Sequence, residues 1–228
     1  MKKLVILSGA GMSAESGIRT FREMGGLWEE YDVMEVASPQ AWENNMELVL
    51  RFYNERRKQL FETEPNNGHK GLVKLEKHFD VEIITQNVDD LHERAGSTKV
   101  LHLHGEMKKV RSTIDPELIY EMDHWELKKG DCCEKGSQLR PHIVWFGEAV
   151  PAIQAAAEIV SKADILVVIG TSMNVYPAAS LINYVNTSVP IYLIDPNKTA
   201  IGYMEGIEYI NEGAGKGVQI LIDKLTEN

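Results

Sequence analysis

Cysteine is nearly absent: 228 residues carry two, Cys132 and Cys133, side by side in "DCCEKGSQLRP". A disulfide framework is excluded, and a reducing compartment is expected. Long apolar runs are missing too. The opening "MKKLVILSGAGMSA" imitates a signal peptide, but its apolar run, Leu4 to Leu7, is too short for a secretory core and reads as a first strand. No stretch approaches the roughly 20 apolar residues of a membrane span, so a cytoplasmic protein without a membrane partner is expected. Basic charge is also in deficit, with 24 Lys and Arg against 34 Asp and Glu and a formal net charge of -10. That field repels nucleic acid and favours a basic peptide. Repeats and low-complexity tracts are lacking, and the length suits one large domain with a small insert.

Four short runs rich in Val and Ile are present: "KLVIL" (3 to 7), "VEIIT" (81 to 85), "DILVVIG" (164 to 170) and "PIYLID" (190 to 195). They read as buried parallel strands. Helical patterns precede the second and third, "EPNNGHKGLVKLEKHF" and "PAIQAAAEIVSKA". This alternation predicts an α/β fold, a Rossmann-like parallel sheet with helices on both faces. Ligands of such sheets sit at the carboxyl ends of the strands, where the polar motifs "SGAG", "QNVDD", "GTS" and "DPN" fall. Residues 107 to 143 break the rhythm and read as an inserted lobe, and 22 to 64 as a mostly helical excursion.

"GAGMSAESG" (9 to 17) has Gly9, Gly11 and then Ser13 where a dinucleotide fingerprint has a third glycine. A phosphate cradle and a plain tight turn are equally open. Beyond the second strand, Gln86, Asn87 and Asp89 form an amide and carboxylate cluster able to hold a ribose or carboxamide, the alternative being that Asp89 or Asp90 starts the following helix as its N-cap. His104 in "HLHGE" is a candidate general base, and His102 with His104 makes a poor metal pair.

Together with "GIRTFR" (17 to 22), "LRPHIVWFGE" (139 to 148), "GTSMNVYPAA" (170 to 179) and "GAG" (213 to 215), these segments resemble the sirtuin family of NAD-dependent protein lysine deacylases, in order across nearly the whole chain. The resemblance implies a single catalytic domain. Its large NAD-binding lobe spans about 1–30, 65–106 and 144–228, and its small lobe about 31–64 (helical) and 107–143, with acyl-lysine entering between them. NAD would be bound by Gly9, Ala10, Gly11, Ser13, Thr20, Phe21, Arg22, Gln86, Asn87, Asp89, Gly170, Thr171, Ser172, Asp195 and Ala214. Phe21 would shield the reacting sugar carbon, and Asn87 would serve catalysis by positioning the nicotinamide end. His104 would remove a proton from the ribose, giving free lysine, nicotinamide and O-acyl-ADP-ribose. Val144, Trp145, Phe146 and Gly147 would supply an extended edge for the substrate peptide. Asp195 departs from the family's asparagine. ADP-ribosyl transfer, NAD hydrolysis and a non-catalytic NAD-sensing module remain the rival readings.

If "NMELVLRFYNERRKQL" is helical, Met46, Val49, Tyr53, Arg56 and Leu60 form one stripe. Arg56 either snorkels or meets an anion with Tyr53. Tyr-x-x-Arg resembles the class III sirtuins, which implies succinyl-, malonyl- or glutaryl-lysine as preferred substrates with residual deacetylation. The family's four-cysteine zinc ribbon is degenerate. Its first pair is absent, Cys132 takes a ligand position of the second, and Lys135 stands where its partner should be. No zinc is expected, an improvised site from Asp123, His124, Cys132 and Cys133 being disfavoured, and Leu118, Ile119, Trp125 and Leu127 are expected to form an apolar nucleus instead.

Overall fold

The computed structural model describes residues 1–19, 31–171, 176–197 and 206–226. In chain order the elements are β1 (Lys3–Ser8), α1 (Gly11–Ala14), α2 (Val33–Val36), α3 (Pro39–Asn44), α4 (Met46–Glu62), α5 (Asn67–Leu75), β2 (Asp80–Thr85), α6 (Leu91–Ala95) and β3 (Val100–His102). There follow β4 (Gly105–Ser112), β5 (Ile119–Glu121), β6 (Leu139–Ile143), α7 (Ile153–Ser161), β7 (Ile165–Ile169), a 3-10 turn (Ala178–Tyr184), β8 (Ile191–Ile194), β9 (Ile207–Ile210) and α8 (Ala214–Thr226). All four predicted strands form.

The large sheet runs β3-β2-β1-β7-β8-β9, every pair parallel. Counting only its own strands, that is the order 3-2-1-4-5-6 of the Rossmann fold, with the chain reversing direction across the sheet between β1 and β7. Side chains alternate between its faces. Leu4, Ile6, Ile83 and Val167 pack on Leu72 and Leu75 of α5 and on Val218 and Leu221 of α8. On the opposite face Val5, Leu7, Ile84 and Val168 meet Ala156 and Val160 of α7 and Leu181 of the 3-10 turn. Burial on both faces explains why these strands are continuously apolar.

The inserted segment is not irregular. It forms a three-stranded antiparallel sheet, β5-β4-β6. Helix α4 packs against it through two clusters, one built from Val49, Phe52, Tyr53, Leu60, Met107, Ile143 and Trp145, the other from Leu50, Val110, Met122 and Leu127. Of the expected apolar nucleus only Leu127 joins a core; Ile119 and Trp125 are exposed. Arg57 completes the attachment from a fully buried position, its Nε donating to Met107 O at 2.7 Å and its Nη1 to Trp125 O at 2.8 Å and Asn54 Oδ1 at 2.9 Å. Burial lowers its pKa to about 10, which leaves it charged at neutral pH. Among the described residues no helix is long and apolar enough to cross a membrane.

Candidate active site

The carboxyl ends of β1, β2 and β7 converge where the strand order reverses. The turn after β1 lies against the end of β7, Gly9 N–H donating to Ile169 O at 2.9 Å and Gly11 N–H to Gly170 O at 2.8 Å. A Cβ on Gly9 would sit 2.6 Å from Thr171 Cβ, and one on Gly11 2.7 Å from Gly170 Cα. These glycines are required by close packing of two chain segments. The N–H groups of Met12 and Ser13 are also donated inward, to Gly9 O and Ala10 O, so within 9–13 only Ala10 N–H lacks an internal acceptor among the described residues.

Ser13 links the cluster that follows β2. Asn87 Nδ2 donates to Ser13 Oγ at 3.1 Å and to Gly9 O at 3.0 Å, and Ser13 Oγ–H donates to Asp89 Oδ2 at 2.9 Å. Both amide hydrogens of Asn87 are thereby used, leaving its Oδ1 without a protein partner among the described residues. Asp89 is buried, and burial raises its pKa despite the donors from Ser13 and from Leu91 N–H at 3.2 Å. Of the two candidates for the helix start, Asp89 and not Asp90 supplies a side-chain bond to the first turn of α6, and it also bonds Ser13.

The main chain of Asn87 is held from both ends. Its N–H donates to Thr85 Oγ1 at 3.0 Å, and its carbonyl accepts from His102 Nδ1 at 3.0 Å. His102 Nε2 lies 2.8 Å from Glu93 Oε1. Both partners of the ring are acceptors, which defines a doubly protonated imidazole; burial opposes that charge, but Glu93 outweighs it and the pKa is raised. Behind β2, Ser8 Oγ connects Thr85 Oγ1 at 2.9 Å to His92 Nε2 at 3.0 Å, and the His92 ring meets His69 with centroids 4.9 Å apart.

His104 approaches from the turn into β4. Its Nδ1 lies 3.1 Å from Gln86 O, a carbonyl that can only accept, so Nδ1 carries the proton and Nε2 is bare. Burial lowers its pKa, keeping the ring neutral near pH 7. Gly105 has φ +82, and His142 O occupies the space that a Cβ would need, which explains the glycine after this histidine. Gln86 in turn donates to Thr171 Oγ1 at 3.0 Å. His102 and His104 thus have separate hydrogen-bond partners.

Gly9, Ala10, Gly11, Ser13, Gln86, Asn87, Asp89, Gly170 and Thr171 therefore lie together, with His104 joined through Gln86. Asp195, just past β8, accepts from Asn197 N–H at 2.8 Å, and Ala214 is the first residue of α8. Sequence reasoning missed Glu15, whose carboxylate ties the start of α8 to α1 by accepting from Gly215 N–H at 3.1 Å and 3.2 Å. The expectations for Thr20, Phe21, Arg22 and Ser172 fall outside the described residues.

Tyr53 and Arg56 do share a face of α4. Tyr53 is buried and accepts at its hydroxyl oxygen from Trp145 Nε1–H at 3.0 Å; burial pushes its phenol pKa up. Arg56 lies over the Phe52 ring, 4.3 Å from its centroid, and bonds Phe52 O through Nη1 at 3.1 Å. Val144 and Trp145 continue from β6 without regular structure, and Phe146 and Gly147 lie in a tight turn closed by Glu148 N–H to Trp145 O at 3.0 Å, with Gly147 at φ +92. Their N–H groups are largely engaged: Val144 with His104 O, Phe146 with Ala37 O, both at 2.9 Å, and Trp145 with Glu148 Oε2 at 2.8 Å.

The remnant of the ribbon is closed by side chains. Lys135 Nζ bonds Asp115 Oδ2 at 2.7 Å, and Cys133 Sγ lies 3.4 Å from Ser112 Oγ. Cys133, not Cys132, faces inward; Cys132 is exposed. Among the described residues no three His, Cys, Asp or Glu side chains gather to hold a metal, so these residues do not fit the zinc that the ribbon would carry.

A six-stranded sheet in this order, with polar side chains converging at its reversal point and a small inserted sheet beside it, defines a dinucleotide-binding α/β protein. The comparisons narrow the class. The Sir2 family model matches residues 9–177. An NAD-dependent protein deacylase of Helicobacter pylori strain J99 is 56% identical over 227 residues, covering 100% of this chain and 97% of its own. One from Bacteroides thetaiotaomicron is 54% identical over 226 residues, with 97% of each covered. A solved Sir2 homologue in complex with NAD superposes with a TM-score of 0.90 at 40% identity, covering 99% of this chain and 90% of the other. The chain belongs to the Sir2 family.

Proposed function

We propose that the protein is an NAD-dependent protein lysine deacylase that prefers acyl groups ending in a carboxylate, succinyl or malonyl, and retains some deacetylase activity. The relatives named above are called NAD-dependent protein deacylases, and a further similar structure holds a deacetylated peptide with 3'-O-acetyl ADP-ribose, at a TM-score of 0.85 and 29% identity over 97% of this chain and 92% of that one. The observation that carries the reading is the polar cluster at the sheet reversal. Asn87 presents an amide oxygen that has no partner among the described residues, Asp89 is buried in a state that a hydroxyl donor would relieve, and His104 presents a bare Nε2. Those groups suit a nicotinamide ribose.

The dinucleotide supplies an electrophilic ribose carbon and a nicotinamide leaving group. Asn87 and Asp89, braced by Ser13, hold and orient that end, and Gly9, Ala10, Gly11, Gly170, Thr171, Asp195 and Ala214 border the remainder. His104 Nε2 takes a proton from a ribose hydroxyl and, being neutral near pH 7, is ready to do so. The large lobe carries these groups, and the peptide passes between it and the small lobe. Because the N–H groups of Val144, Trp145 and Phe146 are engaged, the peptide is held through carbonyls and the Gly147 N–H.

Acyl choice falls to α4. Arg56 Nε is buried without an acceptor, and the Tyr53 hydroxyl proton has none among the described residues. A distal carboxylate would satisfy both, with charge-assisted bonds worth about 1.5 to 3 kcal/mol each. Turnover of succinyl and acetyl versions of one peptide by the wild type and by Arg56→Met tests this. A selective rise in KM for the succinyl peptide is expected; undiminished succinyl turnover in the variant would sink the assignment.

A further inference from the structure

Trp145 stands 92 residues from Tyr53 in sequence, yet its indole N–H is the partner of the Tyr53 hydroxyl. An indole N–H only donates. The phenol oxygen therefore accepts here, and its single proton must go to some other acceptor, which no described residue supplies. The neighbouring Arg56 also has only donors to offer: Nη1 is engaged by Phe52 O at 3.1 Å and lies 3.6 Å from Glu55 Oε2, whereas Nε is buried without a partner among the described residues.

The orientation of Trp145 is itself fixed. The Arg140 guanidinium lies 3.3 Å from the centroid of the indole ring. Arg140 is held by Glu148 through two bonds, Nη1 to Oε1 at 2.7 Å and Nη2 to Oε2 at 3.1 Å, and by Ile143 O at 3.0 Å. Glu148 Oε2 also receives the backbone N–H of Trp145, and Arg111 Nη2 lies 3.3 Å from Oε1. Carboxylate, guanidinium and indole form one braced stack behind the phenol.

We propose that Trp145 is a specificity-determining positioning residue: by occupying the Tyr53 oxygen it makes that hydroxyl a donor, so that it and Arg56 Nε both present hydrogens to the distal end of an acyl group. This inference rests on the carboxylate-preferring reading and deepens it. A carboxylate accepts everywhere and is satisfied. A terminal carboxamide of the same shape brings an NH2 group that neither the Tyr53 hydroxyl nor Arg56 Nε can accept, and leaving it unpaired in a buried site is costly. The enzyme therefore separates succinyl from succinamoyl by hydrogen-bond polarity as well as by charge.

The test compares succinyl-, succinamoyl- and acetyl-lysine versions of one peptide with wild type, Trp145→Phe, Tyr53→Phe and the double variant. Phenylalanine keeps an aromatic ring and removes the N–H. The succinyl to succinamoyl ratio of kcat/KM is expected to fall about ten-fold in Trp145→Phe, through KM more than kcat, because the phenol is released to accept. The double variant should match Tyr53→Phe, since Trp145 acts through the phenol. In wild type the Trp145 indole 1H–15N resonance should move upfield when Tyr53 becomes Phe, a readout that does not depend on the Trp145 variants folding. A wild-type ratio kept by a folded Trp145→Phe, or an unmoved resonance, would overturn the inference alone. A wild type indifferent to the carboxylate would overturn the underlying reading and the inference with it.

Discussion

His104 gives its Nδ1 proton to the backbone carbonyl of Gln86 at 3.1 Å, which leaves Nε2 as the basic atom of the ring. Burial lowers the pKa, so the active neutral form persists below the ordinary histidine range. The acid limb of kcat/KM should therefore fall below pH 6.5, activity being lost as pH drops through the lowered value. Replacement by Asn or Ala should cost about 100-fold or more in kcat. A limb at or above 6.5, measured on one acyl peptide at saturating NAD, would contradict this.

Among the described residues, Ser13 is the one side chain bonded to both Asn87 and Asp89. Ser13→Ala removes the Asp89 donor and leaves an Asn87 hydrogen unpaired, at about 1 to 3 kcal/mol for a buried group. The expected result is a KM for NAD raised about 10-fold or more with little change in the KM for peptide. Equal effects on both constants would point to general loosening instead.

The buried pair His69 and His92 makes the large lobe sensitive to acid. Burial lowers the His69 pKa to about 4, against 6.5 for an unperturbed histidine, and lowers that of His92 as well. The unfolded chain then binds more protons between those values. Stability from His69 is complete above about pH 6.5 and is lost as pH falls toward 4, by about 3 kcal/mol at the limit. Its Nδ1 accepts from Asn66 N–H in a capping box, a role that glutamine also fills. His69→Gln should give a shallower fall of melting temperature between pH 6.5 and 4; an unchanged slope would remove His69 from the account.

The small sheet should need no metal. Its former ligand region is bridged by Asp115 with Lys135 and by Ser112 with Cys133. Purified protein should contain no stoichiometric zinc, and a chelator should leave its melting temperature unchanged. Asp115→Lys should lower that temperature slightly, with recovery on adding Lys135→Asp. Bound zinc that resists mild chelation would refute the metal-free ribbon.

The parts legible in the sequence were those with a local cause. Strands β1, β2, β7 and β8 announced themselves because burial on two faces demands uninterrupted apolar residues. Strand β3, three residues long, and β9, "IEYI" with Glu208 exposed, lack that signature. The small sheet was hidden by Pro141, which is tolerated because β6 is an edge strand, and by the register shift between Gly105 and Val110 in β4. Site residues next to strand ends could be named, but not their wiring. Ser13 looked like a missing glycine, and Arg56 drew notice while its neighbour Arg57 is the fully buried cation. Which cysteine points inward depends on the fold of the ribbon, and the bond from Trp145 to Tyr53 joins segments that only tertiary packing brings together.

The proposed site couples NAD consumption to removal of a carboxylate-bearing acyl group from lysine. The most direct test of this coupling is mass spectrometry of the protein incubated with NAD and a peptide carrying succinyl- or acetyl-lysine. O-succinyl-ADP-ribose, nicotinamide and free lysine are expected in equal amounts, formed faster than the acetyl products. Nicotinamide released at the same rate without any acyl peptide, or an acetyl product formed faster than the succinyl one, would contradict it.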